Sequence, residues 1–203
     1  MKIKIDVSDG KNVYFISDFH LYHKNVIGFD NRPFRKTNGD PDVEAMHKTI
    51  IQNWNSVVND NDVVFYLGDL CFGRPEWANN IVHTLKGKIH YIMGNHDKYK
   101  DIANYGRFES INDLVDLKIT SQNFKGDIHF VLCHYPIYSW NKAHHGSYMI
   151  HGHSHMGLSN GEFHKDKRIF DVGCNGWDYT PVSYQEIIKI GNKIDYRITT
   201  KHH

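Results

Sequence analysis

Apolar runs that stop abruptly at an aspartate, an asparagine or a histidine recur through this chain. The most compact is Tyr91-Ile92-Met93-Gly94-Asn95-His96-Asp97, where an apolar run ends at a glycine and an amide, an imidazole and a carboxylate follow in consecutive positions. Taken alone, Gly-Asn-His-Asp has the composition of a turn. The same event occurs four more times. Asn12 to Ser17 runs into Asp18-Phe19-His20, Asp62 to Leu67 into Gly68-Asp69, Asp127 to Cys133 into His134-Tyr135-Pro136, and Tyr148 to Ile150 into His151-Gly152-His153-Ser154-His155. Five strand ends that all deliver carboxylate, amide or imidazole groups favour a fold in which those ends meet. Together they make a ligand set for two metal ions.

The segments between these runs give the fold class. Val43, Met46, Ile50, Trp54 and Val57 recur at helical spacing after Asp42, and a second helix is predicted over Glu76 to Leu85, after Arg74-Pro75. Alternating strands and helices imply an α/β fold with right-handed crossovers and strands of one orientation. The carboxyl ends of such strands line up where ligands bind, so Asp18, Asp69 and Asn95 are expected at one edge. Alternation along an extended chain would put Asp18 and His20 on one face, about 7 Å apart, and His153 with His155 likewise. Lys2 to Val7 reads as a strand joined to the next by a hairpin turn, Ser8-Asp9-Gly10-Lys11. His23 to Thr37 reads as a surface loop, and Lys98 to Gly126 as two strands with a turn at Asn112-Asp113. Arg168 to Val172 reads as a strand followed by a Gly-rich turn. Ser183 to Ile190 fits a helix or a strand, and Lys193 to Thr199 an alternating closing strand.

At 203 residues and 40% hydrophobic content, one domain over 1–203 with one substantial core is expected. Lys and Arg total 24 against 23 Asp and Glu, and there is no basic, aromatic-rich strip, which argues against a protein that grips long nucleic acid. No apolar run is long enough to span a bilayer, and Met1 to Asp6 alternates apolar and charged residues, so a soluble cytoplasmic protein with no membrane partner is expected. Three cysteines without CxxC spacing do not make a disulfide framework.

Asp-x-His, Gly-Asp, Gly-Asn-His-Asp, Cys-His-Tyr and Gly-His-x-His, in this order, are the motifs of the calcineurin-like metallophosphoesterases. The chain resembles that superfamily over roughly Val13 to Val182, and is most similar to its small single-domain bacterial and phage-type members. The resemblance implies a four-layer α/β/β/α sandwich of two mixed sheets flanked by helices. It also implies a binuclear phosphoesterase that acts through a hydroxide bridging the ions; the balanced charge and short length make a phosphodiesterase on a small nucleotide-type substrate the expectation. Asp18, His20 and His155 would hold one ion, Asn95, His134 and His153 the other, and Asp69 would bridge them. Two divalent transition-metal ions suit such a set, manganese first, with iron, cobalt, nickel or zinc as alternatives. His96 would be the general acid and Asp97 the group that orients it. The second motif departs from the usual pattern: in Gly68-Asp69-Leu70-Cys71-Phe72-Gly73 the next glycine comes late, which leaves the ligand itself unaffected.

Arg32 and Arg74 are candidates for a substrate phosphate, although solvated surface arginines fit the sequence equally well. Loops 23–37 and 139–147, the latter with Trp140, His144 and His145, are candidate specificity segments. His151 reads as a residue behind the site or in the core. The same fold without catalysis, as a metal-stabilised interaction module, is the alternative; such a module would be expected to lack His96 or several ligands.

Overall fold

The computed structural model describes residues 1–158 and 167–194. It is an α/β structure with two mixed five-stranded sheets flanked by helices. The first sheet has the order β10-β2-β3-β4-β5: β2 (Val13–Ile16), β3 (Val63–Tyr66), β4 (Lys88–Ile92) and β5 (Phe108–Asn112) are parallel, and β10 (Val182–Ser183) is antiparallel to β2. The second has the order β1-β6-β7-β8-β9. There β1 (Lys2–Asp6) and β6 (Leu114–Thr120) are parallel, as are β7 (Ile128–Cys133), β8 (Tyr148–His151) and β9 (Ile169–Asp171), and β6 meets β7 antiparallel.

Each strand's sequence suits its place. Val-Tyr-Phe-Ile in β2 and Val-Val-Phe-Tyr in β3 are buried at every position, as strands covered on both faces must be. Between the sheets, Phe15 lies 6.1 Å from Phe65 beside it and 5.3 Å from Phe130 of the opposite sheet. The other face of the first sheet is covered by α2 (Val43–Val57) and α3 (Pro75–Thr84), with Met46, Ile50 and Trp54 of α2 fully buried. Asp42 caps α2 by accepting a hydrogen bond from Ala45 N at 2.9 Å. The outer face of the second sheet carries a small apolar group, Val131, Met149 and Ile169, against which Ile137 and Trp140 pack. Among the described residues no helix is long and apolar enough to cross a membrane.

The expected hairpin at Ser8 to Lys11 is not a hairpin. β1 pairs in parallel with β6 while β2 pairs with β3, so the turn at Ser8 to Lys11 carries the chain from one sheet to the other. The two strands expected on either side of Asn112-Asp113 are β5 and β6, and the turn between them also passes from one sheet to the other. The physical reason is burial: β1 alternates exposed and half-buried residues, fitting a sheet edge, whereas β2 is enclosed. Segment 23–37 holds a short helix, α1 (Val26–Phe29), and α4 (Tyr99–Asn104) follows the Asn95 motif; neither stands out in the sequence. The 183–190 ambiguity resolves as both, β10 and then α5 (Tyr184–Gly191), capped by Ser183 Oγ. Most of the expected closing strand at Lys193 to Thr199 lies outside the described residues.

α2 also fastens the chain just beyond the first motif, because His47 Nε2 accepts a hydrogen bond from Tyr22 N at 3.0 Å. Burial pushes the His47 imidazole down from 6.5 to about 4. Its neutral form therefore supports the fold fully above pH 6.5, and that support is lost as the pH falls through the window down to about 4. Replacing His47 with Gln keeps an acceptor that does not titrate. The thermal midpoint of His47→Gln is expected to fall less than the parent's between pH 7 and pH 4.5; equal falls would contradict this account.

Candidate metal centre

All seven expected ligands stand at the carboxyl ends of β2, β3, β4, β7 and β8, or in the loops that leave them. The way they converge differs from strand alternation. Asp18 (φ 60°), His20 (φ 48°), Asp69 (φ 59°), His153 (φ 67°) and His155 (φ 46°) all have left-handed backbones. Non-glycine residues avoid that region at a cost of order 1–3 kcal/mol each, so the surrounding structure must hold them there. Asp18 N donates to Gly68 O and His20 N to Asp69 O, both at 3.0 Å, which laces the first loop to the second. His153 N donates to Asp18 Oδ2 at 3.0 Å, and Ser17 Oγ donates to the same oxygen at 2.6 Å. Glycine is needed where these loops touch: a Cβ at Gly94 would collide with Asp69, and one at Gly152 with Ser17 and Asp18.

Two groups of donor atoms result. In the first, His20 Nε2 and His155 Nε2 lie 3.1 Å apart, with Asp18 Oδ1 3.9 Å and 3.6 Å from them respectively. In the second, Asn95 Oδ1 is 3.0 Å from His134 Nε2 and 2.8 Å from His153 Nδ1. Asp69 Oδ2 touches both groups, 3.7 Å from His20 Nε2 and 3.5 Å from His134 Nε2. Tautomers follow from the outer partners. His134 Nδ1 faces Leu67 O at 2.7 Å and His155 Nδ1 faces Asp30 Oδ1 at 2.8 Å, so each donates there and turns an Nε2 lone pair inward. Lone pairs on nitrogen and oxygen turned to one point fit cations. Burial disfavours the charged forms here: it pushes Asp18 up to about 7 against the pull of His134 and His155, and pushes His20 down to about 2, with His155 adding to the effect.

Asp30 and Arg32, in the loop expected to lie on the surface, form the support behind the first group. Arg32 is 1% exposed. Its guanidinium donates to Asp18 O at 3.0 Å and Phe19 O at 2.9 Å, and pairs with Asp30 Oδ2 at 2.7 Å. Asp30 then accepts from His155. Burial would raise the Asp30 carboxyl, but the His155 hydrogen bond and Arg32 outweigh it and hold it low. Burial would likewise lower His155, but Asp30 and Asp18 raise it. Arg32 is thus engaged in holding the loop and does not face a substrate phosphate. Only the Asp-x-Arg spacing could have pointed to this pair, and it is too common to do so.

The other expected roles divide. His96 stands at the mouth with 45% of its side chain exposed, Nε2 4.0 Å from Asp69 Oδ2, and its N–H bonded to Asp69 Oδ1 at 2.9 Å. Asp97 does not orient that imidazole. Its carboxylate accepts from Asp69 N, Gly94 N and Tyr91 OH at 2.8–2.9 Å and from Leu70 N at 3.3 Å, which ties the second loop to the third. On a turn, successive side chains diverge, so the residue after His96 faces the backbone instead of its neighbour. His151 is fully buried in β8, with Nδ1 2.7 Å from Gly152 O. Arg74 is exposed and lies over Trp77. In loop 139–147, Trp140 packs on the outer face of the second sheet, and Lys142 Nζ sits 3.1 Å from His129 Nε2, near the opposite end of β7 from His134. A cleft of about 590 Å³ at the amino-terminal ends of β3 and β4 holds no candidate ligand.

No family model matches the chain. It is 35% identical over 190 residues to the uncharacterized protein MJ1445 of Methanocaldococcus jannaschii, covering 90% of this chain and 93% of that one. It is 28% identical over 211 residues to the gene 66 protein of Mycobacterium phage L5, covering 90% and 95%. A solved protein of unknown function from Aquifex aeolicus, AQ665, shares the fold with a TM-score of 0.61 at 24% identity, over 89% of this chain and 99% of that one.

Partners behind ligating histidines commonly set metal affinity within a factor of 10–100. Asp30→Asn is therefore expected to weaken Mn²⁺ binding about 10–100-fold in calorimetric titration. An unchanged affinity would remove Asp30 from the centre.

Proposed function

The chain belongs to the family of the Methanocaldococcus jannaschii protein MJ1445, and we propose that it is a binuclear metal-dependent phosphodiesterase of the calcineurin-like metallophosphoesterase superfamily. The observation that carries this reading is the pair of donor groups joined by Asp69 Oδ2 at the meeting edge of the two sheets. The four-layer α/β/β/α arrangement belongs to the same reading. It is supported by the shared apolar core between the sheets and by the helices on the first sheet.

Asp18, His20 and His155 would hold one divalent ion, and Asn95, His134 and His153 the other, with Asp69 common to both. Bound there, manganese, or iron, cobalt, nickel or zinc, supplies Lewis acidity to a phosphoryl group and a water acidic enough to ionise near neutral pH. The remaining work belongs to the chain. Leu67 O and Asp30 fix the tautomers of His134 and His155. Asp97 holds Asp69 and the Gly94 loop at fixed separation. His96, exposed at the mouth, carries the proton that a departing alkoxide requires. Arg32 is committed to Asp30 and to backbone carbonyls, which leaves it unable to meet the second charge of a monoester and favours a diester. Balanced overall charge favours a small nucleotide-type substrate over long nucleic acid.

Metal-stripped protein with Mn²⁺ restored is expected to hydrolyse bis-p-nitrophenyl phosphate well above p-nitrophenyl phosphate, with Asp69→Asn inactive on both. His96→Ala should slow an alkyl diester by about 10²–10⁴-fold, and the nitrophenyl diester less, because nitrophenolate leaves without a proton. Retention of the alkyl rate within a few-fold would exclude His96 as the acid. Two bound ions with no turnover of either ester would favour an interaction module instead.

A further inference from the structure

Beside His96 a cleft of about 190 Å³ opens between the loop after β3 and the start of α4, lined among others by Phe72, Gly73, His96, Lys98, Asp101 and Tyr105. That is room for about six waters at roughly 30 Å³ each, the scale of a fused ring system. One wall is flat and apolar. Phe72 is 46% exposed and lies 5.8 Å from the His96 ring. It is held from behind by His23, stacked at 4.1 Å and 26°, which in turn meets Phe29 edge-on at 6.1 Å. The far wall is fixed too, since Tyr105 OH donates to Pro75 O at 2.8 Å. Lys98 and Asp101 place an ammonium donor and a carboxylate acceptor on the α4 side. A backed aromatic wall opposite one donor and one acceptor suits a planar ring whose edge carries both kinds of group. An alkyl chain would leave Lys98 and Asp101 unmatched, and a second phosphate would meet Asp101.

We infer that this cleft is the subsite for the leaving group of the ester and that it takes a nucleobase stacked on Phe72, with the ester oxygen directed at His96. The inference rests on the phosphodiesterase reading above and narrows its substrate to esters that release a nucleoside. Stacking of a base on an aromatic side chain commonly changes affinity about tenfold or more.

The test uses two esters that share a phosphoryl side, adenylyl-3′,5′-adenosine and the methyl ester of adenosine 3′-monophosphate, with Mn²⁺-loaded parent, Phe72→Ala and Phe72→Trp. The parent is expected to favour the nucleoside leaving group by about tenfold in kcat/KM. Phe72→Ala should bring that ratio toward one through KM, and Phe72→Trp should keep it. No preference in the parent, or a ratio that Phe72→Ala leaves unchanged, would overturn the subsite. Saturation-transfer NMR with adenosine separates this from failure of the parent reading. If neither ester is cleaved, the phosphodiesterase reading falls. Saturation of the base protons that is lost in Phe72→Ala would still support the subsite, and no saturation in the parent would overturn it.

Discussion

Lone pairs cannot crowd together inside a protein without a positive charge to hold them. At the carboxyl edge of the two sheets, His134 Nε2 lies 3.0 Å from Asn95 Oδ1 and 3.5 Å from Asp69 Oδ2, and His20 and His155 oppose their Nε2 atoms at 3.1 Å. Leu67 O and Asp30 fix the neutral tautomers from outside, so a neutral His134 or His155 turns its Nε2 lone pair inward. Burial reinforces this, since it disfavours every charged state that lacks a counter-charge. The arrangement is costly in isolation and coherent around cations.

Much of the surrounding fold serves that one constraint. The left-handed turns at Asp18, His20, Asp69, His153 and His155 are tolerated because each loop is bonded to the next: first to second through Gly68 O and Asp69 O, second to third through Asp97, and first to fifth through Asp18 and His153 N. The aromatic packing of Phe15, Phe65 and Phe130 keeps the two sheets in register behind them. Arg32 is the least expected member of this support. A guanidinium placed to recognise phosphate would need an open face; here it is enclosed by the backbone it positions.

The candidate ligands were legible because each motif puts its chemistry in a few adjacent positions directly after an apolar run. The helices of the first half were legible from spacing and from the cap at Asp42. Three things were not. The short polar turn at Ser8 to Lys11 has the same composition whether it folds a hairpin or crosses between sheets, and only burial on both faces of β2 distinguishes the cases. Alternation predicts the facing of residues on an extended strand, but the strands stop before Asp18 and His153, and convergence there comes from φ angles that no residue type announces. The supporting pair Asp30 and Arg32 meets its targets across long sequence distances, 125 residues in the contact of Asp30 with His155, with no local pattern to mark it. Asp97 shows the same limit: its place beside His96 in the sequence misstates its place in the structure, against the backbone of the loop before.

Two ions that share Asp69 would couple magnetically, and electron paramagnetic resonance of the protein titrated with Mn²⁺ reads that coupling directly. Uptake of two equivalents, with the isolated-ion signal giving way to the broadened spectrum of an exchange-coupled pair, is the predicted result, and Asp69→Asn should abolish the coupling. A single equivalent that keeps the resolved hyperfine lines of an isolated ion at saturation would contradict the account.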